Sequence, residues 1–110
     1  MSLEGGRIAC VKEAIGMKDL QETRQALDEV DRGIVRLFEQ RMNLARDVAA
    51  YKIVRGMPVL DRSREEQVLD SRCAMLVDPY WAPSVRAMYE QIMALSRAEQ
   101  QKLVEEADHA

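Results

Sequence analysis

The longest stretch without a helix-breaking residue most constrains how this chain of 110 residues can fold. From Lys18 to Val54 the sequence contains no proline and a single glycine, Gly33. Apolar residues recur along it at steps of three and four, which is the period of one helix face. The stretch therefore predicts one helix of about 35 residues, about 50 Å long at about 1.5 Å per residue.

Two shorter helices are predicted after the long one, each preceded by a Gly- or Pro-containing breaker. "RGMP" (55–58) precedes a helix over 61–77, and "DPYWAP" (78–83) precedes a third helix that begins near Pro83. No alternating β pattern occurs, so the chain is predicted to be all-α, with one domain over 18–104. Residues 1–17 are expected to form a flexible tail, at most with a short helix over "ACVKEAI", and 105–110 a frayed C-terminal tail.

The predicted first helix is too long for a compact domain of this size. Such a domain has a radius of gyration of about 13 Å, so a helix of about 50 Å would leave an apolar stripe uncovered. The simplest partner is a second copy, which predicts a homodimer.

Composition excludes several classes of function. The formal net charge is −3 with acids and bases interspersed, so no basic stripe indicates nucleic-acid binding. Cys10 and Cys73 are the only cysteines and make no disulfide framework or metal site, and His109 is the only histidine. No membrane-length apolar run or signal-peptide core is present, so a cytoplasmic location is expected.

Polar residues interrupt the apolar stripe of the first helix at Arg24, Asp31, Arg41 and Lys52. Arg41 and Lys52 are separated by three turns, about 16 Å, with about 20° of drift, so their long side chains can reach one small anion. Arg24 is about 42 Å from Lys52 along a helix and could join them only from the other chain of a dimer. For each cation, the alternative is a side chain that snorkels at the core edge. Asp31 is interpreted as an ion-pair or structural partner.

The other two helices supply acids and neutral hydrogen-bonding groups. Asp61 and Glu65 are four residues apart, so both carboxylates lie on one helix face, with Arg64 beside them. Ser96 and Gln100 have the same spacing at positions that read as core. The alternatives are a solvated acidic helix start and an exposed C-terminal turn.

Taken together, these residues predict a pocket for a small dicarboxylate that carries a hydroxyl group. The cations suit the carboxylates, the acids suit the hydroxyl, and amide and hydroxyl groups complete the hydrogen bonding. The sequence offers no nucleophile with an activating base, no metal-ligand cluster and no glycine-rich phosphate loop. Such a site would catalyse by positioning and electrostatics.

The combined pattern resembles the all-helical chorismate mutases of the bacterial AroQ class, over about residues 18–104. The resemblance is carried by "ETRQALDEVDRGIVRLFEQR", "LARDVAAYK", "GMPVLDRSREEQVL" and "YEQIMALSRAEQQ". It implies an intertwined three-helix homodimer with two equivalent sites. The implied reaction is the Claisen rearrangement of chorismate to prephenate, without cofactor, metal or covalent intermediate, in aromatic amino-acid biosynthesis or a related secondary pathway.

By position, the resemblance also implies roles for the basic residues and the serine. Arg24 would cross from the partner chain to bind one substrate carboxylate, and Arg41 would bind the other end of the dicarboxylate. Lys52 would contact a carboxylate and the ether oxygen whose C–O bond breaks. Arg64 and Ser96 would complete the carboxylate shell.

The remaining implied roles belong to the acids and the amide. Glu65, with Asp61, would accept a hydrogen bond from the ring hydroxyl. Gln100 would donate a hydrogen bond to the ether oxygen from the side opposite Lys52. The implied catalytic set is thus Lys52, Gln100, Arg41 and Glu65.

Other functions stay open on the same scaffold. An isochorismate pyruvate-lyase would keep the cations, but the acidic pair is not expected there. A mutase for 4-amino-4-deoxychorismate would place an amine near those acids. A non-catalytic helical dimerisation module would need none of the cations. No second catalytic or regulatory domain is recognised, so a bifunctional dehydrogenase or dehydratase is not expected.

Overall fold

Three α-helices make up most of the computed structural model, which describes residues 19–109. Helix α1 is Leu20–Arg55, α2 is Arg62–Ala74 and α3 is Ala82–His109, with a 3₁₀ turn at Pro79–Trp81. No strand occurs in this described range, so the predictions of an all-α fold and of a very long first helix are confirmed. The predicted N-terminal tail, residues 1–17, lies outside the described residues.

Local hydrogen bonds fix both ends of α1. At the start, the backbone N–H of Gln21 donates to Asp19 Oδ1 at 2.7 Å. At the end, Gly56 has a φ of 64° and its N–H donates to the Ile53 carbonyl at 3.2 Å, while Met57 donates to Lys52 at 2.9 Å. These paired bonds form a Schellman motif, in which glycine supplies the left-handed residue that ends the helix.

Helix α2 ends three residues before the predicted end at Val77. Met75 and Leu76 close the helix with i→i−3 bonds to Arg72 and Cys73, at 3.1 and 3.2 Å. Because Pro79 disfavours helical geometry in the preceding residue, Asp78 is extended and caps the 3₁₀ turn. The apolar residues Met75 and Leu76 led to a prediction of a helix up to Val77, but Val77 is fully exposed.

Helix α3 also differs from expectation, because it continues through His109 where a frayed tail was predicted from Glu105. No glycine or proline follows Pro83, so no residue type breaks the helix. The His109 ring lies in the last turn, where Nδ1 is 2.6 Å from the Glu105 carbonyl oxygen. A ring N–H there satisfies one of the carbonyls that lack partners at a helix end.

The chain divides into two units, Met1–Phe38 and Glu39–Ala110. In the first, the described residues from Leu20 onward belong to α1, and their large apolar side chains are exposed. In the second, α2 packs on α3 around Val68, Leu69 and Met93, with Tyr89 against them. An ion pair from Arg86 to Asp70, at 2.7 Å, also joins these two helices. No helix within residues 19–109 combines the length and apolar character needed to cross a membrane.

The small core makes Leu69 a sensitive position. Leu69→Ala should lower the free energy of unfolding by about 2–5 kcal/mol, because it opens a cavity beside Val68 and Met93. Val77→Ala, at an exposed site, should change it by less than about 0.5 kcal/mol. Urea unfolding followed by circular dichroism at one fixed protein concentration measures both. Equal effects of the two substitutions would contradict the assigned core.

Candidate active site

A partly open cavity of about 340 Å³ lies in the unit Glu39–Ala110, within the range of small-molecule sites. It is lined by the C-terminal half of α1, by α2 and the segment before it, and by α3. Its polar lining consists of nine side chains: Arg41, Lys52, Asp61, Arg64, Glu65, Arg72, Ser96, Arg97 and Gln100. Seven of the predicted site residues are therefore brought together, while their roles remain predictions.

Arg24 is the predicted site residue that does not line this cavity. It lies on α1 within the unit Met1–Phe38 and is exposed, as is Asp31.

Arg41 projects from α1 and is held by α3. Its Nη1 donates to Ser96 Oγ at 3.0 Å, and its Cζ lies 5.8 Å from the centroid of the Tyr89 ring. Burial lowers the pKa of the Arg41 guanidinium; Tyr89 opposes this, and the nearby cations Arg72 and Arg64 add to it. Arginine nevertheless stays charged in proteins, so Arg41 presents a partly desolvated cation to the cavity.

Ser96 positions this cation. Its side chain is buried, and its hydroxyl donates to the Ile92 carbonyl at 2.9 Å while it accepts from Arg41. Because the single hydroxyl proton is directed to the backbone of α3, the oxygen lone pairs remain for donors such as a guanidinium. The predicted reading of Ser96 as a core hydrogen-bonding group fits this geometry better than an exposed C-terminal turn does.

Lys52 reaches across the end of α1. It is half-buried, and its Nζ donates to the Val59 carbonyl at 2.7 Å. An ammonium group has three donors, and this bond occupies one of them. The bond restrains the side chain beside the cavity and leaves donors for an anion.

Asp61 and Glu65 face the cavity but have different partners. Asp61 is exposed and is the N-cap of α2, since its Oδ1 accepts from the Arg64 backbone N–H at 3.0 Å. Glu65 is half-buried and accepts from Arg97 Nη1 with both carboxylate oxygens, at 2.5 and 2.6 Å. The helix-start interpretation of Asp61 thus has a structural basis, whereas Glu65 belongs to an ion pair between α2 and α3.

Two further cations, Arg97 and Arg72, line the cavity and are half-buried, but neither was predicted as a site residue. Arg97 lies four residues after the core residue Met93, and Arg72 lies four residues after Val68. Both are cations on an apolar stripe, the same signal that singled out Arg41 and Lys52. Applied consistently to α2 and α3, that signal would have found them.

Gln100 is the least satisfied polar group described around the cavity. The residue is only 7% exposed, and its buried Oε1 has no hydrogen-bond partner among the described residues. An unpaired buried amide oxygen lowers the stability of the fold by about 1–3 kcal/mol, so such a group usually has a structural or functional explanation. A side-chain amide at a cavity wall can donate to or accept from a bound molecule.

Charge in the cavity is opposite in sign to that of the whole chain. The lining has five cations, Arg41, Lys52, Arg64, Arg72 and Arg97, and two carboxylates, Asp61 and Glu65. The excess of three positive charges contrasts with a formal net charge of −3 for the chain. Such local concentration favours a small molecule with more than one negative charge.

The described lining contains neither histidine nor cysteine, and the hydroxyl of Ser96 is committed to Ile92. Within residues 19–109, no group of three or more His, Cys, Asp or Glu side chains is arranged to hold a metal ion. The cations of the lining can bind an anion between them, with the neutral donors around it.

Fold and site together define an all-helical protein with a cationic cavity for a small anion. The family model described as chorismate mutase type II matches residues 23–101, and the chain belongs to this family. The resemblance inferred from the sequence is thereby confirmed.

Two curated relatives match shorter segments. A chorismate mutase from Methanocaldococcus jannaschii is 39% identical over 54 residues, 49% of this chain and 54% of that protein. A 3-dehydroquinate dehydratase from Pyrobaculum aerophilum is 42% identical over 50 residues, 46% of this chain and 17% of that protein. The chain thus spans about half of the first relative and under a fifth of the second.

The cap at Asp61 gives a stability prediction that separates charge from hydrogen bonding. Asp61→Ala should lower the free energy of unfolding by about 0.5–2 kcal/mol, because the Arg64 N–H loses its acceptor. Asp61→Asn should cost much less, since asparagine caps helices about as well as aspartate. Urea unfolding measures both, and an equal loss in the two variants would refute a capping role.

Proposed function

We propose that this protein is a chorismate mutase that rearranges chorismate to prephenate in the 340 Å³ cavity. The observation that carries the proposal is the joint presence of Arg41, Lys52, Glu65 and Gln100 around one cavity, in a chain of the chorismate mutase type II family. The substrate is a dicarboxylate with an enol ether and a ring hydroxyl, which matches a cationic cavity with carboxylate and amide groups.

The reaction needs positioning and charge stabilisation. As the C–O bond of the ether breaks and a C–C bond forms, electron pairs shift within one molecule and no proton is transferred. Cations on the two carboxylates would hold the side chain over the ring, where the reacting carbons are close. The catalytic task that remains is to stabilise negative charge that develops on the ether oxygen.

Lys52 and Gln100 would stabilise that oxygen from opposite sides. Lys52 retains two ammonium donors beyond its bond to Val59 and would also contact a carboxylate. The Gln100 amide would donate through Nε2. Because both side chains are at least half-buried, their dipole and charge act with less screening than at the surface.

Arg41 would bind a substrate carboxylate, and Arg64 at the cavity edge would assist it. The bond from Arg41 to Ser96 supports a positioned guanidinium, so Ser96 would act on the carboxylate shell mainly through Arg41. Glu65 would accept a hydrogen bond from the ring hydroxyl, with Asp61 nearby. Prephenate formed in this way would enter phenylalanine and tyrosine biosynthesis or a related secondary pathway, in the cytoplasm.

We further propose that the active form is an intertwined homodimer in which Arg24 of each chain completes the other chain's site. Large apolar side chains of α1 are more than half exposed within a single chain: Leu20, Leu27, Val30, Ile34, Val35 and Leu37. A run of exposed apolar groups of this extent is typical of an interface. A second copy with two-fold symmetry would cover it.

Lys52 gives the most direct test of the mechanism. Wild-type protein should convert chorismate to prephenate, and Lys52→Ala should lower turnover by at least about 10²–10³, the usual effect of removing a preorganised donor. Loss of the bond to Val59 should lower stability by only about 1 kcal/mol. Substrate consumption with product identified by chromatography measures turnover. Lys102→Ala, at an exposed position of α3, is the control. A folded Lys52→Ala protein with near-normal turnover would overturn the assignment.

The composite site can be tested by mixing two inactive variants. Arg24→Ala and Arg41→Ala should each give inactive homodimers. After joint unfolding and refolding, random pairing makes about half of the dimers mixed, and each mixed dimer contains one intact site. Activity should therefore return to about a quarter of wild type.

Both variants have the same mass, so one of them is labelled with ¹⁵N, and native mass spectrometry then confirms by the intermediate mass that mixed dimers have formed. If each site used residues of one chain alone, every site in the mixture would carry a lesion and no activity would return. An inactive mixture with confirmed mixed dimers would thus refute the cross-chain role of Arg24 without touching the proposed reaction.

A further inference from the structure

Arg97 forms the shortest ion pair described in the cavity lining, with Glu65, and the proposed mechanism gives Arg97 itself no task. Both carboxylate oxygens of Glu65 accept from Arg97 Nη1, at 2.5 and 2.6 Å. The two side chains are 24% and 35% exposed, so the pair is only partly screened by solvent. Both residues line the cavity, and a bound molecule near Glu65 is therefore also near the Arg97 cation.

The pair also stands between two cavities. A second cavity of about 470 Å³ is lined in part by Glu65, Met93 and Arg97, which line the first one as well. Met93 is buried in the core one turn before Arg97 on α3, so the ion pair lies beside the packed core of α2 and α3. The guanidinium is thus held in place at the wall of the proposed site.

The ion pair with Arg97 changes which chemical groups of a bound molecule Glu65 favours. A carboxylate has about four lone-pair sites, so Glu65 can accept from Arg97 and still accept from a hydroxyl of a bound molecule. A hydroxyl is neutral and is not repelled by Arg97. An aliphatic amine at the same position is mostly protonated at neutral pH and would meet a carboxylate whose charge is already compensated.

We propose that Arg97 is a specificity-determining residue that makes the Glu65 end of the cavity prefer a neutral ring hydroxyl to an ammonium group. The inference rests on the proposed function, because it requires that Glu65 faces the ring substituent of the substrate. It distinguishes chorismate from its analogue with an amine in place of that hydroxyl.

The test compares kcat/KM and the dissociation constant for these two compounds in wild type and variants. Arg97→Gln should shift the ratio of the two kcat/KM values at least about tenfold towards the amine, equivalent to about 1.4 kcal/mol. Arg97→Lys keeps the positive charge and should keep the wild-type ratio. The shift should appear mainly in KM, since the contact is made equally in the ground and transition states.

Arg86→Gln is the matched control. Arg86 also joins α3 to a carboxylate of α2, Asp70, at 2.7 Å, but it does not line the cavity. Its loss should leave the ratio unchanged even if stability falls. Should Arg97→Gln not fold, Arg97→Met keeps the apolar stem and removes the charge in the same way.

Measuring kcat/KM for both compounds over a range of pH adds a test whose result a purely structural role of Arg97 would not change. As pH rises and the amine loses its proton, the preference gained by Arg97→Gln should shrink, while kcat/KM for chorismate keeps its own profile. An unchanged ratio in folded Arg97→Gln, or the same shift in Arg86→Gln, would overturn the inference.

The proposed chorismate mutase function and the proposed role of Arg97 in specificity can be refuted separately. If wild type converts neither compound, the proposed function falls, and the ratio of the two dissociation constants from calorimetry decides the inference. If wild type converts chorismate but the Arg97→Gln ratio stays unchanged, only the inference falls. If neither compound binds, both are refuted.

Discussion

The hydrogen bond from Arg41 to Ser96 is the interaction on which the site depends. It joins the C-terminal half of α1 to α3 at 3.0 Å, at a place where an ordinary helix pair would bury aliphatic side chains. On the same stripe, Ala45 and Ala49 are buried. The hydrogen bond between these two helices is made by polar side chains, so the wall of the cavity replaces part of the core.

This arrangement costs stability that a bound anion can recover. Burial lowers the pKa of Arg41, which means that its charged form is less favourable there than in water. Gln100 leaves a buried amide oxygen without a partner among residues 19–109. A ligand that binds only the folded chain stabilises it by mass action, so an anion bound beside Arg41 and Gln100 would offset part of these costs.

Elements governed by local chemistry were predictable from the sequence, and those governed by distant partners were not. The predicted first helix, 18–54, differs from Leu20–Arg55 by one or two residues, because Gly56 and Pro58 end it locally. The predicted end of α2 was wrong by three residues because the helix was extended up to the breaker at 78–83, whereas i→i−3 bonds at Met75 and Leu76 close it earlier. The partner of Glu65 could not be predicted, because Arg97 is 32 residues away and only packing of α2 on α3 brings them together.

The acidic pair at the start of α2 illustrates why spacing alone does not assign roles. A separation of four residues correctly places Asp61 and Glu65 at one cavity, yet one binds its own helix backbone and the other binds a cation of α3. The Asp61 cap fixes where α2 begins and hence where Glu65 lies one turn later. Arg97 then fixes the direction of the Glu65 carboxylate. The two carboxylates therefore have different effects. Asp61 determines where α2 begins, and Glu65 links the packing of α2 on α3 to the chemistry of the site.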